Sequence, residues 1–243
     1  MPFECRQLDV GTLDHSPEFD VAGLVDHMNS EGYACIENFI APEALSQMRG
    51  FVASAVQESR GNYVCFKDIR AVAGSTLDEL YASSDFKRLI EAVFERGAGW
   101  KAPDAEFYFV LRCLTGPDVF KHSLLFHYDS FVVTALVAID IPDGGDLILL
   151  PNRRPIRSTY AANLVDKLLL DNKLSQVFLG QAARRNPALF ARIKPIPGNL
   201  YIFWGYRSIH ANEACDPDKV RSTALYHFAD PHAGSWLKKL LGR

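Results

Sequence analysis

The sequence "LLFHYDSFVVTALVAIDI", residues 124–141, places a histidine and an aspartate inside a run of aromatic and β-branched residues. Such runs are typical of β-strands, in which residues i and i+2 point to the same face. His127 and Asp129 are therefore predicted to project together, with Tyr128 on the other face. Because a histidine and a carboxylate are poor core residues, the pair indicates a polar site on a β-sheet.

Similar segments surround this stretch in the second half of the chain. Turn sequences rich in glycine and proline separate them. The other predicted strands are 105–114, 146–151, 198–204 and 220–229. Apolar residues at helical spacing predict helices in 17–31, 41–59 and 84–97 and a helical block at 158–193, while 32–40 is typical of a strand. Helices followed by a strand-rich half indicate one α+β domain whose β part closes as a sandwich or barrel.

Composition limits the class of protein. The 243-residue chain has a formal net charge of −3, which argues against nucleic acid as the main partner. No apolar run approaches the roughly 18 residues that span a bilayer, and the beginning of the chain does not resemble a secretory signal. The short basic tail at 235–243 limits membrane contact to a peripheral one. Five scattered cysteines without a C-x-x-C pair predict free thiols in a cytoplasmic protein, and the sequence defines no oligomeric state.

Two more polar positions extend the site. His210 follows a predicted strand, and Arg221 begins the next one with Thr223 on the same face. Two imidazoles and a carboxylate can occupy one face of an octahedral metal ion, which is the ligand set of non-heme Fe(II) oxygenases. His127, Asp129 and His210 are therefore predicted metal ligands. A guanidinium binds a carboxylate through two donors, so Arg221, helped by the Thr223 hydroxyl, is predicted to hold the far carboxylate of 2-oxoglutarate.

These residues resemble the motif of a known family. "HYD" at 127–129, His210 and "RST" at 221–223 are similar to the H-x-D…H…R-x-S/T pattern of the Fe(II)/2-oxoglutarate-dependent dioxygenases. "EGYACIENFIAPEALSQMR", residues 31–49, resembles an N-terminal segment of the phytanoyl-CoA-hydroxylase-like and prolyl-hydroxylase-like branches. The resemblance covers roughly residues 20–230 and departs from the usual motif at Thr223, where a serine is more common.

The resemblance implies one dioxygenase domain, residues 1–243, with a double-stranded β-helix (jelly-roll) core. In that domain 1–104 forms a helix-rich N-terminal support, 105–157 and 194–230 supply the jelly-roll strands, and 158–193 is a helical insertion. The implied cofactors are Fe(II), 2-oxoglutarate and O2. The implied reaction hydroxylates an unactivated C–H bond of a small-molecule, sugar or lipid-linked substrate and releases succinate and CO2. Two alternatives stay open: a cupin-type metal-binding isomerase or sensor that is not an oxygenase, and a protein hydroxylase.

Four further residues are candidates for a substrate or cosubstrate pocket. Tyr108 and Arg112 share one face of a predicted strand, Tyr206 closely precedes His210, and His227 has the parity of the Arg221 face. Ordinary packing or edge contacts are the competing interpretation of each. Three arginines in "PNRRPIR", residues 151–157, favour an anionic small-molecule substrate, with a solvated basic loop as the alternative.

Overall fold

The computed structural model describes residues 19–241. Its strands form two antiparallel sheets in that range. The strands are β1 (Tyr33–Ile36), β2 (Val64–Phe66), β3 (Tyr108–Leu114), β4 (Val133–Asp140), β5 (Leu147–Leu150), β6 (Ala191–Ile193), β7 (Leu200–Phe203), β8 (Ile209–Asn212) and β9 (Arg221–Phe228). The large sheet has the order β1-β7-β4-β9-β3-β2, and the small sheet has the order β6-β5-β8.

Helices surround the sheets and fill the long connections. They are α1 (Val21–Ser30), α2 (Pro42–Glu58), α3 (Thr76–Ala82), α4 (Ser84–Ala98), α5 (Tyr160–Asp171), α6 (Lys173–Arg185) and α7 (Trp236–Leu240), with short 3-10 turns at Ile69–Val72, Phe120–His122 and Pro187–Leu189. The α4 helix illustrates the local signals: the Ser83 hydroxyl accepts a hydrogen bond from the Phe86 amide at its beginning, and Gly99 ends it in the left-handed conformation. None of the described helices is long and apolar enough to cross a bilayer.

Alternation along the central strands divides the interior into two layers. One face of the large sheet, with Val137 of β4, Leu111 of β3 and Tyr226 of β9, packs against the N-terminal helices in the main hydrophobic core. The opposite face turns towards the small sheet, where Leu136, Leu147 and neighbouring apolar side chains form a second cluster. The polar residues that the sequence singled out lie on this second face or at its edge.

The structure corrects three boundaries expected from sequence. Residues 124–132 do not continue the β4 strand, and His127 there makes only an isolated bridge. Ala191–Ile193, expected to be helical, forms β6 because it pairs with β5 in the small sheet. The strand predicted at 32–40 is confirmed as β1, but β2 was not expected; these two are the edge strands of the large sheet. Residues 1–18, where the first predicted helix was expected to begin, lie outside the described part.

Candidate metal and cosubstrate site

A single backbone bridge brings two histidines together from distant parts of the chain. The His127 amide donates to the His210 carbonyl at 3.0 Å, and the His210 amide donates to the His127 carbonyl at 3.0 Å. The two residues therefore form an antiparallel pair at the end of β8, and their ring centroids lie 4.4 Å apart. The extended backbone at this bridge turns Asp129 to the same side as His127, as the alternation predicted.

The side chains of His127, Asp129 and His210 form a cluster with the dimensions of a metal site. One ligand atom from each lies within 4.8 Å of the others. The Nε2 atoms of His127 and His210 are 3.6 and 3.5 Å from the Asp129 carboxylate oxygens. Adjacent ligands on an octahedral ion, each about 2.1 Å from the metal, are about 3 Å apart, so a small inward movement completes the geometry.

Both imidazoles are oriented by their second ring nitrogen. The Nδ1 atom of His127 lies 2.9 Å from the Leu125 carbonyl, and the Nδ1 atom of His210 lies 3.1 Å from the Ser208 carbonyl. A carbonyl oxygen only accepts, so each Nδ1 carries a hydrogen and each Nε2 points into the cluster, where it can bind a metal ion once it is unprotonated. This is the arrangement found for metal-binding histidines.

The Asp129 carboxylate is held by a hydroxyl group and by a close glycine. The Thr134 hydroxyl donates to Asp129 Oδ2 at 2.5 Å and lies 3.0 Å from His227 Nδ1. The Asp129 amide donates to the Gly205 carbonyl at 3.0 Å. A Cβ atom at Gly205 would lie only 2.2 Å from both Asp129 Oδ2 and Thr134 Oγ1. Only glycine leaves room for the carboxylate in this position.

Charge interactions prepare the cluster for a cation. Burial alone would raise the pKa of Asp129, but His210 and then His227 outweigh it and hold that pKa well below its usual range. Burial lowers the pKa of His127, and His210 lowers it further, so its Nε2 is unprotonated near neutral pH. Burial lowers the pKa of His210 too, but the interaction with Asp129 is stronger and the net shift is upward. A metal ion would replace that proton.

A cavity of about 300 Å³ begins at this cluster and continues between the two sheets. One face of β9 forms the floor of the cavity through the side chains of Thr223, Leu225 and His227. Arg221 also lines it, and six residues of extended strand, about 20 Å, separate Arg221 from His227. The cavity therefore has imidazoles and a carboxylate at one end and a guanidinium towards the other.

Arg221 is a buried cation with no carboxylate in ion-pair range among residues 19–241. It is 2% exposed, and its Nε donates to the Gly145 carbonyl at 2.6 Å, which leaves its two terminal nitrogens for other partners. Burial, and then the nearby Arg112, lower its pKa to about 10. Since an unpaired buried charge is costly, an anion bound here would stabilise the protein.

Two of the other predicted residues lie beside this cation. Thr223 is directly opposite Arg112 in the β3–β9 ladder, and both line the cavity. The Arg112 terminal nitrogens donate to Asn212 Oδ1 at 3.2 Å and to the His122 carbonyl at 2.5 Å, while its Nε is buried without a partner. Arg112 thus adds positive charge at the Arg221 end, although its own donors are largely used.

The remaining two candidates lie outside the cavity lining. Tyr108 pairs with His227 across β3 and β9, but its side chain is at the surface, 40% exposed, and stacks on Phe131 with centroids 5.2 Å apart. Tyr206 is fully buried and faces away, with its hydroxyl 3.0 Å from His232 Nε2. The tight turn after Trp204 directs Tyr206 away from the cavity.

Two of the three arginines at 151–157 are engaged in ion pairs within the protein. Arg154 is buried, its guanidinium lies 3.8 Å from the ring centroid of Tyr128 and 4.2 Å from that of Tyr206, and it pairs with Asp166 at 2.9 Å. Arg157 binds the same carboxylate at 2.7 Å. These two arginines fasten α5 to the body of the protein, which corrects the expectation that they bind an anionic substrate.

The helical insertion supplies two contacts that the sequence did not reveal. Gln176 of α6 accepts a hydrogen bond from the Phe126 amide and donates to the Phe126 carbonyl, both at 2.8 Å. Lys167 of α5 donates to the Ser130 hydroxyl at 2.7 Å. The insertion therefore contacts the chain immediately before His127 and immediately after Asp129. No local pattern around either residue indicates such a contact, since each depends on packing between segments about 40–50 positions apart.

Comparison with solved structures identifies the fold. No family model matches the sequence, and no curated protein matches it. A Trichoplax adhaerens prolyl hydroxylase, solved with a peptide fragment of hypoxia inducible factor, superposes with TM-score 0.59 at 17% identity, covering 88% of this chain and 92% of that one. The epimerase SnoN from nogalamycin biosynthesis is described as α-ketoglutarate-dependent and non-heme. It superposes with TM-score 0.55 at 15% identity, covering 86% of this chain and 80% of that one.

A Burkholderia pseudomallei oxidoreductase of the 2OG-Fe(II) oxygenase family gives TM-score 0.51 at 11% identity, covering 89% of this chain and 96% of that one. The chain therefore has the fold of the 2-oxoglutarate- and Fe(II)-dependent oxygenases. The resemblance seen in the sequence is confirmed at the level of the fold, and at these identities the likeness extends no further.

Proposed function

We propose that this protein is an Fe(II)- and 2-oxoglutarate-dependent dioxygenase that hydroxylates an unactivated C–H bond of a small-molecule, sugar or lipid-linked substrate. The observation that carries the proposal is the cavity with the His127, Asp129 and His210 cluster at one end and the unpaired Arg221 towards the other. An oxygenase of this class needs both, a metal site and a cation for the cosubstrate. A metal-binding isomerase or sensor that used no 2-oxoglutarate would have no ligand for Arg221.

In the proposed enzyme, His127, Asp129 and His210 bind Fe(II) on one face, and the far carboxylate of 2-oxoglutarate binds Arg221 and the Thr223 hydroxyl. Bound iron, with 2-oxoglutarate and O2, supplies the oxidising chemistry, and the co-products are succinate and CO2. The chain keeps the His127 Nε2 atom unprotonated and the Asp129 carboxylate ionised, and a bound metal ion would replace the proton that Asp129 favours on His210. We infer that the two sheets form a double-stranded β-helix and that residues 1–243 make one catalytic domain.

We infer a reducing, cytoplasmic environment from the five scattered cysteines, which include no C-x-x-C pair. A protein hydroxylase is the second candidate. It is favoured by the superposition on the prolyl hydroxylase that was solved with a peptide. The SnoN comparison adds that proteins of this fold also perform epimerisation, so substrate-dependent product analysis must accompany any activity.

The test is anaerobic binding followed by turnover. Purified protein with Fe(II) and 2-oxoglutarate is expected to develop the weak visible charge-transfer band of the chelate and, after addition of air, to form succinate slowly. His127→Ala should lose both signals, whereas His27→Ala, which alters a histidine on α1 far from the cluster in sequence, should keep them. A wild-type protein that binds Fe(II) but never 2-oxoglutarate would refute the oxygenase and favour the isomerase or sensor. Candidate metabolites and peptides that accelerate succinate formation then separate the two substrate classes.

A further inference from the structure

Lys167 is a cation of the helical insertion that reaches the metal cluster from outside the 300 Å³ cavity. Its Nζ donates to the hydroxyl of Ser130, the residue next to Asp129, at 2.7 Å. Bond lengths along this connection keep the ammonium group within about 12 Å of the Asp129 carboxylate. Lys167 does not line this cavity, whereas Arg221 does.

The surroundings of Lys167 leave it without a counterion. No carboxylate of the described residues forms an ion pair with it, because the adjacent Asp166 is bound by Arg154 and Arg157, and Asp230 is bound by Lys238. Burial lowers its pKa, and the charge of Asp129 opposes that shift. Once Asp129 binds a metal ion, that favourable charge is neutralised, and the remaining favourable charge is the weaker one of Asp171, which forms no ion pair with Lys167 among the described residues.

An aromatic cluster begins at the residue after Ser130. Phe131 follows Ser130 in the chain, and its ring stacks on Tyr108 at 5.2 Å and on His227 at 5.5 Å. The Tyr108 side chain is 40% exposed, so the surface is open to solvent. An amine bound to Ser130 and an exposed aromatic surface that begins at the next residue would together suit a ligand with an acidic group and an apolar skeleton.

We propose that Lys167 binds the carboxylate or phosphate group of the primary substrate and holds the substrate carbon skeleton against Phe131, beside the metal. This inference rests on the proposed oxygenase function and adds the substrate class, a monoanionic or phosphorylated organic acid. Arg221 then serves the cosubstrate and Lys167 serves the substrate, each from its own side of the cluster. The substrate anion replaces or shares the Ser130 contact.

The experiment measures binding close to the metal and does not depend on turnover. Protein loaded with Mn(II), a paramagnetic substitute for Fe(II), and saturated with 2-oxoglutarate is titrated with hexanoate, hexyl phosphate or hexanol. Proton relaxation of each probe reports its distance from Mn(II). Wild type and Lys173→Met, a control that removes an exposed amine from α6 of the same insertion, are expected to relax hexanoate or hexyl phosphate but not hexanol. Lys167→Met should weaken binding of those acids by about tenfold or more, as expected for loss of a charge-assisted hydrogen bond.

Three results would overturn the inference. Lys167→Met could bind the acids as tightly as wild type does, hexanol could be relaxed more strongly than the acids, or wild type could bind neither acid. Each of these results would leave the oxygenase proposal intact if Mn(II) still relaxes the protons of 2-oxoglutarate. Absence of that last signal in wild type would instead refute the proposed function and the inference with it. Circular dichroism confirms that each variant is folded.

Discussion

Substitution of Gly205 by alanine tests the metal site without touching a ligand. The new Cβ would lie 2.2 Å from Asp129 Oδ2 and 2.2 Å from Thr134 Oγ1, whereas ordinary contacts begin near 3.4 Å. The carboxylate must therefore move by about 1 Å, which is well beyond the ±0.2 Å tolerance of metal–ligand distances. The backbone at Gly205 has no left-handed φ angle, so the methyl group acts through this contact and not through backbone strain.

The expected result is a large loss of metal affinity in a folded protein. Changing a partner of a metal ligand typically costs 10–100-fold in affinity, and direct displacement of the ligand should reach the upper part of that range, about 100-fold. Mn(II) affinity measured by electron paramagnetic resonance gives the value for wild type and variant. Gly50→Ala is the matched control, since its new methyl group on an exposed turn of α2 meets no atom within 4 Å. Better helix propensity should stabilise that control by roughly 0.5–1 kcal/mol.

If Gly205→Ala keeps its native circular dichroism and binds Mn(II) as tightly as wild type, Asp129 is not a ligand in the observed geometry. Thr134→Val serves as a milder second variant in case the alanine substitution prevents folding. It has nearly the same volume but removes the hydroxyl that donates to Asp129 at 2.5 Å. A loss of about tenfold in Mn(II) affinity is expected from it.

Two further predictions concern the other groups around the cluster. Arg221→Met should weaken 2-oxoglutarate binding, measured calorimetrically, by at least about tenfold through loss of charge-assisted bonds, while Mn(II) affinity stays unchanged; equal loss of both would contradict its proposed role. At a 2-oxoglutarate concentration of 100 times the wild-type dissociation constant, a tenfold weaker affinity would lower the stabilisation by the ligand from about 2.7 kcal/mol to about 1.4 kcal/mol. Gln176→Leu should reduce Mn(II) affinity by about tenfold because it releases the Phe126 backbone, whereas Gln181→Leu, on an exposed part of α6, should not. A lower melting temperature with unchanged Mn(II) affinity would assign Gln176 a purely structural role.

The pairing of His127 with Asp129 in the candidate metal cluster was predictable because it depends on short-range geometry, whereas the approach of His210 depends on the long-range bridge. His127 and Asp129 are two residues apart, and any extended backbone turns them to one side, even though the segment turned out to lie in an isolated bridge and not in a regular strand. The β9 face, with Arg221, Thr223 and His227, was predictable for the same reason, since that strand is regular and central in the sheet. Alternation survives small errors in strand boundaries.

Features that depend on packing between distant segments were not predictable. Three arginines within the seven residues 151–157 indicate a basic surface. Arg154, however, is buried between Tyr128 and Tyr206 and forms an ion pair with Asp166. Tyr206 was expected in the pocket because it lies close to His210 in the sequence. The turn after Trp204 instead points the Tyr206 side chain away from the cavity. Neither outcome follows from spacing, because each requires knowing which helix covers which loop.

The helical insertion consequently has more influence on the site than its separation in sequence indicates. The segment from Phe126 to Ser130 makes backbone hydrogen bonds at the His127–His210 bridge and from the Asp129 amide to the Gly205 carbonyl. Side chains of α5 and α6 hold its two ends through Lys167 and Gln176. A substrate acid that engages Lys167 therefore acts on the chain one residue from Asp129. Substrate binding and metal geometry are coupled through this segment, so probe binding in the Lys167 experiment should also alter the Mn(II) spectrum. An unchanged Mn(II) spectrum on binding of hexanoate would show that the ligand segment is rigid and that the insertion only selects the substrate.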